Sequence, residues 1–226
     1  MANNIILYMT DISPPCRAVL SVAYTLGIDI EKRYVSFLKR EQFSDWYLKL
    51  NPEHTVPTLQ DNNKPITDSH AICAYLVDKY GKDDTLYPKD LYVRARCNQR
   101  MFFDAATLFK PIRDVAFSIF KNGSTEIDPD IVRNIYASYD MFEAILDEEY
   151  LAGKTMTIVD ICAFGSITTL DHLYAPMPPE KYPKTVAWVE RLKKEPFYAA
   201  IEENGKHVAE YKRCIMYVKD LNRHRK

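Results

Sequence analysis

Apolar and polar positions alternate between two rhythms along the first 80 residues. Residues 5–8, Ile5-Ile6-Leu7-Tyr8, form a short apolar run that predicts a strand. A helical period follows over residues 14–26 and stops near Gly27. Ser13 suits the cap of that helix, and Pro14 suits its first turn, where a missing N–H costs nothing. Residues 31–35 predict a second strand from their aromatic and β-branched content. Residues 41–50 predict a short helix that ends before Asn51-Pro52. Residues 56–59 and 65–67 predict two short strands around Asp61-Asn62-Asn63, a hairpin turn. Residues 69–80 predict a helix, with Ile72, Tyr75, Leu76 and Lys79 at helical spacing.

The order βαβαββα describes an α/β domain of thioredoxin type over residues 1–80. Gly81-Lys82-Asp83-Asp84 breaks the pattern, and residues 81–90 read as a linker. Strand signals then vanish, so residues 91–226 are expected to form an all-helical domain. A long helical pattern spans 91–120, with Phe102, Ala106, Phe109, Arg113, Ala116 and Phe120 on one stripe. Pro111 is expected to kink or interrupt it. Asp128-Pro129 opens a helix running through residue 149. Thr157-Ile158-Val159-Asp160 forms a capping box ahead of an apolar run, a device of local folding. Residues 183–194, with Val186, Trp188, Val189 and Leu192, predict another helix. The tail carries Lys212, Arg213, Lys219, Arg223, Arg225 and Lys226 against Asp220. It reads as a solvated helix with Cys214, Tyr217, Val218 and Leu221 facing inward.

Composition narrows the function classes. The chain is 47% hydrophobic and 27% charged with a net charge of -1, which argues against nucleic acid as the main partner. No segment approaches the roughly 20 apolar residues that span a bilayer, so no membrane partner is expected. Nor does the N-terminus read as a secretory signal. The five cysteines are odd in number and none stands at C-x-x-C spacing, so neither a disulfide framework nor a metal site is expected. A reducing, cytoplasmic setting follows.

Three loops of the α/β domain hold residues suited to a small-molecule site. Where thioredoxin-like proteins carry C-x-x-C, this chain carries Ser13 and Cys16. A serine cannot form a mixed disulfide, but its hydroxyl and the helix terminus can stabilise a bound thiolate. On these residues alone a plain helix cap is the better reading. Pro57 before a strand is a candidate cis proline, which would turn the backbone of Val56 towards a peptide-like ligand. His54 beside it is either an unemployed surface histidine or a carboxylate partner. Asp68 and Ser69 open a helix. They read as a cap, or as a divided clamp in which Asp68 takes an ammonium and Ser69 with the helix amides takes a carboxylate. His70 reads as packing or helix-start polarity. Arg113 interrupts an apolar stripe, either as a structural ion pair or as a group at the mouth of a pocket between domains.

These pieces in this order resemble the cytosolic glutathione transferases. The likeness runs through Ser13-Pro14-Pro15-Cys16-Arg17, Leu50-Asn51-Pro52-Glu53-His54-Thr55-Val56-Pro57, Asp68-Ser69-His70-Ala71-Ile72, Tyr80-Gly81-Lys82-Asp83-Asp84 and the second-domain capping box. The start and linker motifs look most like the insect Epsilon class, with Delta close behind. The resemblance implies glutathione as co-substrate, no metal, a homodimer, and conjugation to apolar electrophiles in detoxification (EC 2.5.1.18 type), with dehydrochlorinase or peroxidase side activity. It matches Ser13 to the catalytic serine. Glutathione would be bound by Gln42, His54, Val56, Pro57, Asp68, Ser69 and Arg113. Phe109, Ile112, Ala116, Phe117 and Phe120 would wall the electrophile pocket. Gln42 departs from the histidine that many Epsilon enzymes carry, which implies an altered hold on the glycyl carboxylate. A non-catalytic carrier of apolar ligands and a glutathione-dependent isomerase remain the alternatives.

Overall fold

The computed structural model describes residues 5–201 and 206–223. Its first part runs β1 (Ile5–Met9), α1 (Pro14–Leu26), β2 (Glu31–Tyr34), a 3-10 turn (Glu41–Phe43), α2 (Asp45–Leu50), β3 (Thr58–Asp61), β4 (Lys64–Thr67) and α3 (Ser69–Tyr80). The strands form one sheet in the order β2-β1-β3-β4. β2 runs parallel to β1, β3 antiparallel to β1, and β4 antiparallel to β3. Gly27 closes α1 at φ 67, in the left-handed region that glycine enters freely. Asn62 and Asn63 turn the β3–β4 hairpin, both at positive φ.

Two local boundaries differ from the sequence pattern. β3 begins at Thr58 because Pro57 has no N–H to give a ladder. The predicted 41–50 helix is split at Ser44, whose backbone is extended and whose hydroxyl donates to the Glu41 carbonyl at 2.6 Å.

The linker residues 81–90 hold no helix or strand. The helical part follows as α4 (Leu91–Phe103), a π turn (Asp104–Leu108), α5 (Phe109–Phe120), α6 (Pro129–Ile145), α7 (Ile158–Thr169), a second π turn (Leu170–Tyr174), α8 (Pro183–Leu192), α9 (Pro196–Ile201) and α10 (Lys206–Arg223). α9 and the first turns of α10 had no counterpart in the sequence pattern.

The irregularity in the long helix falls ahead of Pro111, at the first π turn. There the Phe109 N–H reaches back five residues to the Asp104 carbonyl. Proline offers no N–H, and its ring crowds the carbonyl four residues earlier. That carbonyl belongs to Thr107, and the Ser138 hydroxyl donates to it instead at 3.2 Å.

The core faces of α4, the first π turn and α5 carry Met101, Leu108, Ile112, Val115 and Ile119. The Phe102–Phe120 stripe lies alongside this face, and Phe102 is 73% exposed. Both stripes step by three and four, so period alone could not say which one is buried.

One continuous core joins the two parts. Leu7, Met9 and Leu59 of the sheet pack with Val19, Val22, Ile72 and Leu76, and on into the α7 residues Ile158, Ile161 and Phe164. The opposite sheet face is closed by Ile6, Tyr8, Val35 and Tyr47. α7 is buried on every side, which its near-uniform apolarity demands. The capping box forms as expected, but Asp160 does more than cap. Its carboxylate accepts from Thr157 N, Thr157 Oγ1, Leu151 N and Trp188 Nε1, tying α8 to α7.

In α10, Cys214 and Val218 are buried as the pattern required. Tyr217 and Leu221 are exposed, a correction to the inward set; Tyr211 and Ile215 pack with the Val115–Ile119–Val218 cluster instead. Arg225 and Lys226 lie outside the described residues.

Candidate functional site

Sheet topology gathers the predicted loops. Tyr8 pairs with Thr58, Thr58 with Thr67, and Met9 with Tyr34. Residues 10–13, 35–42, 54–57 and 68–69 therefore leave the sheet at the same edge.

At the first corner, Ser13 caps α1. Its hydroxyl accepts the Cys16 N–H at 3.4 Å, a long bond, and the side chain is only partly covered. Cys16 is fully buried, and burial pushes its thiol up to about 12. It is inert at neutral pH, leaving the serine hydroxyl as the polar group this corner presents. Arg17, also buried, spreads its guanidinium over the corner. Nη1 donates to the Asp11 and Ile12 carbonyls, and Nη2 to Gly165 O and Thr169 Oγ1 of α7. Gly165 allows this approach, because a Cβ there would stand 3.0 Å from the Pro14 carbonyl oxygen. The sequence motif contained Arg17 but gave it no task. A buried arginine has no signature until its acceptors, 148 and 152 residues away, are folded beside it.

At the second corner, the Val56–Pro57 peptide is cis. The Val56 N–H and C=O have no hydrogen-bond partner among the described residues. The preceding loop is held firmly: the Tyr47 hydroxyl and Asn51 Nδ2 both donate to the Thr55 carbonyl, at 2.6 and 3.0 Å. His54 is exposed, with φ 50, and its ring lies 4.8 Å from that of Phe43. The Arg40 guanidinium covers the Phe43 ring at 5.1 Å. Gln42, next to Phe43, has a buried Oε1 with no partner among the described residues. The Gln42 and His54 segments thus meet, and Arg40 is a cation there that the sequence reading missed.

At the third corner, Asp68 takes φ 66, and its Oδ1 accepts the His70 and Ala71 N–H groups at 2.9 and 3.1 Å. The Ser69 hydroxyl has no partner among the described residues. His70 corrects its sequence reading. Its Nε2 lies 2.9 Å from Asp104 Oδ2 in the first π turn, and its Nδ1 lies 3.7 Å from Asp68 Oδ1. Burial, the largest influence, opposes its charge, but the two carboxylates outweigh it and lift His70 to about 11. The same contact, with the Ala71 N–H, holds Asp68 at about 2. An imidazolium therefore joins α3 to the helical part while Asp68 stays anionic. Asp104 was legible only as one acidic residue in the apolar stretch 101–109.

α5 faces this edge with a mixed surface. Phe109 and Ala116 are half-buried. Phe117 is exposed under Lys121, whose Nζ is 5.0 Å from the ring centre. Phe120 meets Phe37 of the β2–α2 segment edge-on at 5.9 Å, joining the two parts of the chain. Arg113 is exposed and pairs with no carboxylate among the described residues, so the structural ion pair is not formed. Ile112 is a correction. At 4% exposure it packs into the helical core rather than standing on this mixed surface.

A thioredoxin-type sheet with a serine-capped first helix, a cis proline and a helical second part is the fold of the glutathione S-transferases. The model of the glutathione S-transferase N-terminal domain matches residues 7–84, and that of the glutathione S-transferase C-terminal domain matches residues 107–196. The chain belongs to the glutathione S-transferase family and is a transferase of that kind. It is similar to the epsilon-class glutathione S-transferase of the housefly, Musca domestica, at 40% identity and TM-score 0.86, covering 96% of this chain and 98% of that one. A Drosophila mojavensis glutathione transferase homologue, solved with bound glutathione, matches at 41% identity and TM-score 0.85, covering 96% and 97%. Glutathione S-transferase 1 of Manduca sexta is 41% identical over 186 residues, 82% of this chain and 86% of its own length.

Proposed function

We propose that Ser13 is the catalytic residue and that its hydroxyl donates a hydrogen bond to the thiolate of bound glutathione. The observation that carries this is the sheet edge itself. There an unoccupied peptide-like pair, the Val56 N–H and C=O, sits between the N-termini of α1 and α3. The cysteinyl unit of glutathione lies along Val56 and Pro57 in strand-like pairing. Asp68, anionic at any working pH, takes the γ-glutamyl ammonium. Ser69 and the first amides of α3 take the adjacent carboxylate. His54 and Gln42, with Arg40 close by, take the glycyl carboxylate. Phe109, Ala116, Phe117 and Phe120 wall the electrophile site, and Arg113 stands at its mouth. In this division, residues 1–80 hold glutathione and residues 91–226 shape the acceptor pocket.

The gain in rate comes from two sources. The Ser13 hydroxyl and the positive end of α1 lower the thiol pKa from about 8.5 towards neutrality. Holding thiolate and electrophile together then removes the entropic cost of their meeting. We further infer a cytoplasmic homodimer acting in detoxification. The five free, buried cysteines suit a reducing compartment. Leu91, Tyr92 and Phe102 of α4, all strongly exposed, offer apolar surface for a second copy.

Conjugation of glutathione to a chloronitroaromatic tests the assignment. Ser13→Ala should lose roughly a hundredfold in kcat/KM, the scale of one donor at a developing or stabilised anion. An unchanged rate would refute the role of Ser13.

A further inference from the structure

The loop that presents Ser13 is gripped from both ends of the chain. On its inner side, Arg17 donates to the carbonyls of Asp11 and Ile12. On its outer side stands Glu210 of α10. Its Oε1 accepts the Thr10 hydroxyl at 3.1 Å, and its Oε2 accepts the Ile12 N–H at 3.2 Å. These contacts span 200 and 198 residues of sequence. The Ile12 N–H has no other partner among the described residues.

α10 is in turn moored to the helical part. Val218 packs with Val115 and Ile119 of α5. Tyr211 meets Tyr174 edge-on at 5.6 Å, and His207 stacks on His172 at 6.1 Å. Asn222 Nδ2 donates to the Gly123 carbonyl at 2.9 Å. Glu210 therefore references the Ser13 loop to the helix that carries the pocket wall.

We propose that Glu210 is a positioning residue for Ser13, aiming its hydroxyl at the glutathione thiolate through the two-point hold on Thr10 and Ile12. The inference rests on the assignment of Ser13 above. Hydrogen bonds weaken steeply as they bend away from linear, so a loop free to tilt loses the thiolate contact before it loses its fold. Two acceptor atoms fix tilt as well as position. A carboxylate acting by charge alone would have the opposite effect, because a nearby anion raises a thiol's pKa. The surrounding ionisable groups are Arg17, Cys16 and Asp11 in and under the loop, Tyr34 bonded to Asp11, Cys214 and Arg213 further along α10, His207 in α10 and His172 stacked on it. His207 is pushed down to about 4, first by burial and then by Arg17 and His172, and is neutral in the assay range.

The sign of the effect separates the two accounts. Thiolate absorbance of bound glutathione is titrated, and kcat and glutathione KM are measured, for the native protein, Glu210→Ala, Glu210→Gln and Ser13→Ala. Glu210→Ala should raise the bound thiol's pKa by about one unit and lower kcat about tenfold at neutral pH, with KM little changed. Glu210→Gln should recover most of this, since its carbonyl can accept from Ile12 while its amide donates to the Thr10 oxygen. A thiol pKa that stays or falls in Glu210→Ala overturns the proposal, as does a loss confined to KM or a glutamine variant no better than alanine. Should Glu210→Ala not fold, Thr10→Val removes one arm; a smaller upward shift supports the proposal and an unmoved pKa overturns it. If Ser13→Ala keeps native activity, the Ser13 assignment falls and takes this one with it. If Ser13→Ala collapses while Glu210→Ala is native-like, only the Glu210 role is lost.

Discussion

His70 and Asp104 form a charged pair across the two parts of the chain, with side chains 14% and 4% exposed. Removing the imidazole by His70→Ala leaves the Asp104 carboxylate buried with no partner among the described residues on either oxygen, since Oδ1 already has none there. Stranding a buried charge in this way costs about 3–5 kcal/mol. Proton linkage through the same contact points in the same direction. A histidine carried from 6.5 to about 11 on folding stabilises the native state by about 5 kcal/mol at pH 7. The folded pKa lies above the unfolded one, so this stabilisation is complete below pH 6.5 and drains away as pH rises towards 11. Asp68 behaves oppositely, its contribution present above 3.8 and lost as pH falls towards 2. Urea unfolding of native protein and His70→Ala at pH 7 reads the cost. A His70→Gln, Asp104→Asn double variant, with nothing left to titrate at the pair, reads the slope. The native advantage over it should shrink by about 1.4 kcal/mol per pH unit, or about 3 kcal/mol between pH 6.5 and 9. A difference that stays flat over that range, or a His70→Ala cost below about 1 kcal/mol, would refute a charged bridge. Because α3 carries Asp68 and Ser69 at its start, the same variant should raise glutathione KM several-fold.

Gly165→Val should destabilise by about 1–3 kcal/mol in thermal unfolding, because its Cβ would already crowd the Pro14 carbonyl before the methyls are added. Conjugation activity should fall with it, since Pro14 adjoins Ser13; native-like melting would mean that α1 and α7 can part without loss. Asp160→Asn should cost about 2–3 kcal/mol in urea unfolding, because an amide cannot accept on both sides and strands a buried donor among Thr157, Leu151 and Trp188. A loss under about 1 kcal/mol would show that those donors find other partners.

Much of the α/β part was legible because its signals are local. α3 spans the residues that period and the Asp68 cap assigned it, and α1 starts and stops at Ser13 and Gly27 as capping chemistry requires. The β3–β4 hairpin follows from its short connection, but β3 lies beside β1 and not β2, so the candidate residues between 10 and 69 were named from loop chemistry and the family resemblance rather than from strand order. What the sequence hid was non-local. Ile112 and Phe109 look alike on a helical wheel, and only the packing of α7 and α10 decides that one is core and the other half-exposed. The π turn at Asp104–Leu108 answers a proline seven residues on and a serine in another helix. Glu210 and Asp104 carry no motif, and Arg17 stands in one that gives it no task, because each matters only through a partner far along the chain.

Those long-range partners share one effect on the site. Asp68 holds φ 66, a conformation that costs a non-glycine residue on the order of 1–3 kcal/mol. It is kept there because its Oδ1 is tied to the His70 and Ala71 amides and because His70 is anchored to Asp104. The Ser13 loop is kept in place by Arg17 from α1, whose guanidinium also binds α7, and by Glu210 from α10. The proposed glutathione clamp stands on α/β loops with Arg113 of α5 bordering it; Tyr47 and Asn51 hold the Val56 loop from within the α/β part, while the groups that fix the Ser13 and Asp68 corners bond to or belong to the helical part. An isolated α/β part would keep the loop residues of the clamp and lose the aim of those two corners, which is a physical reason for the two parts to share one core.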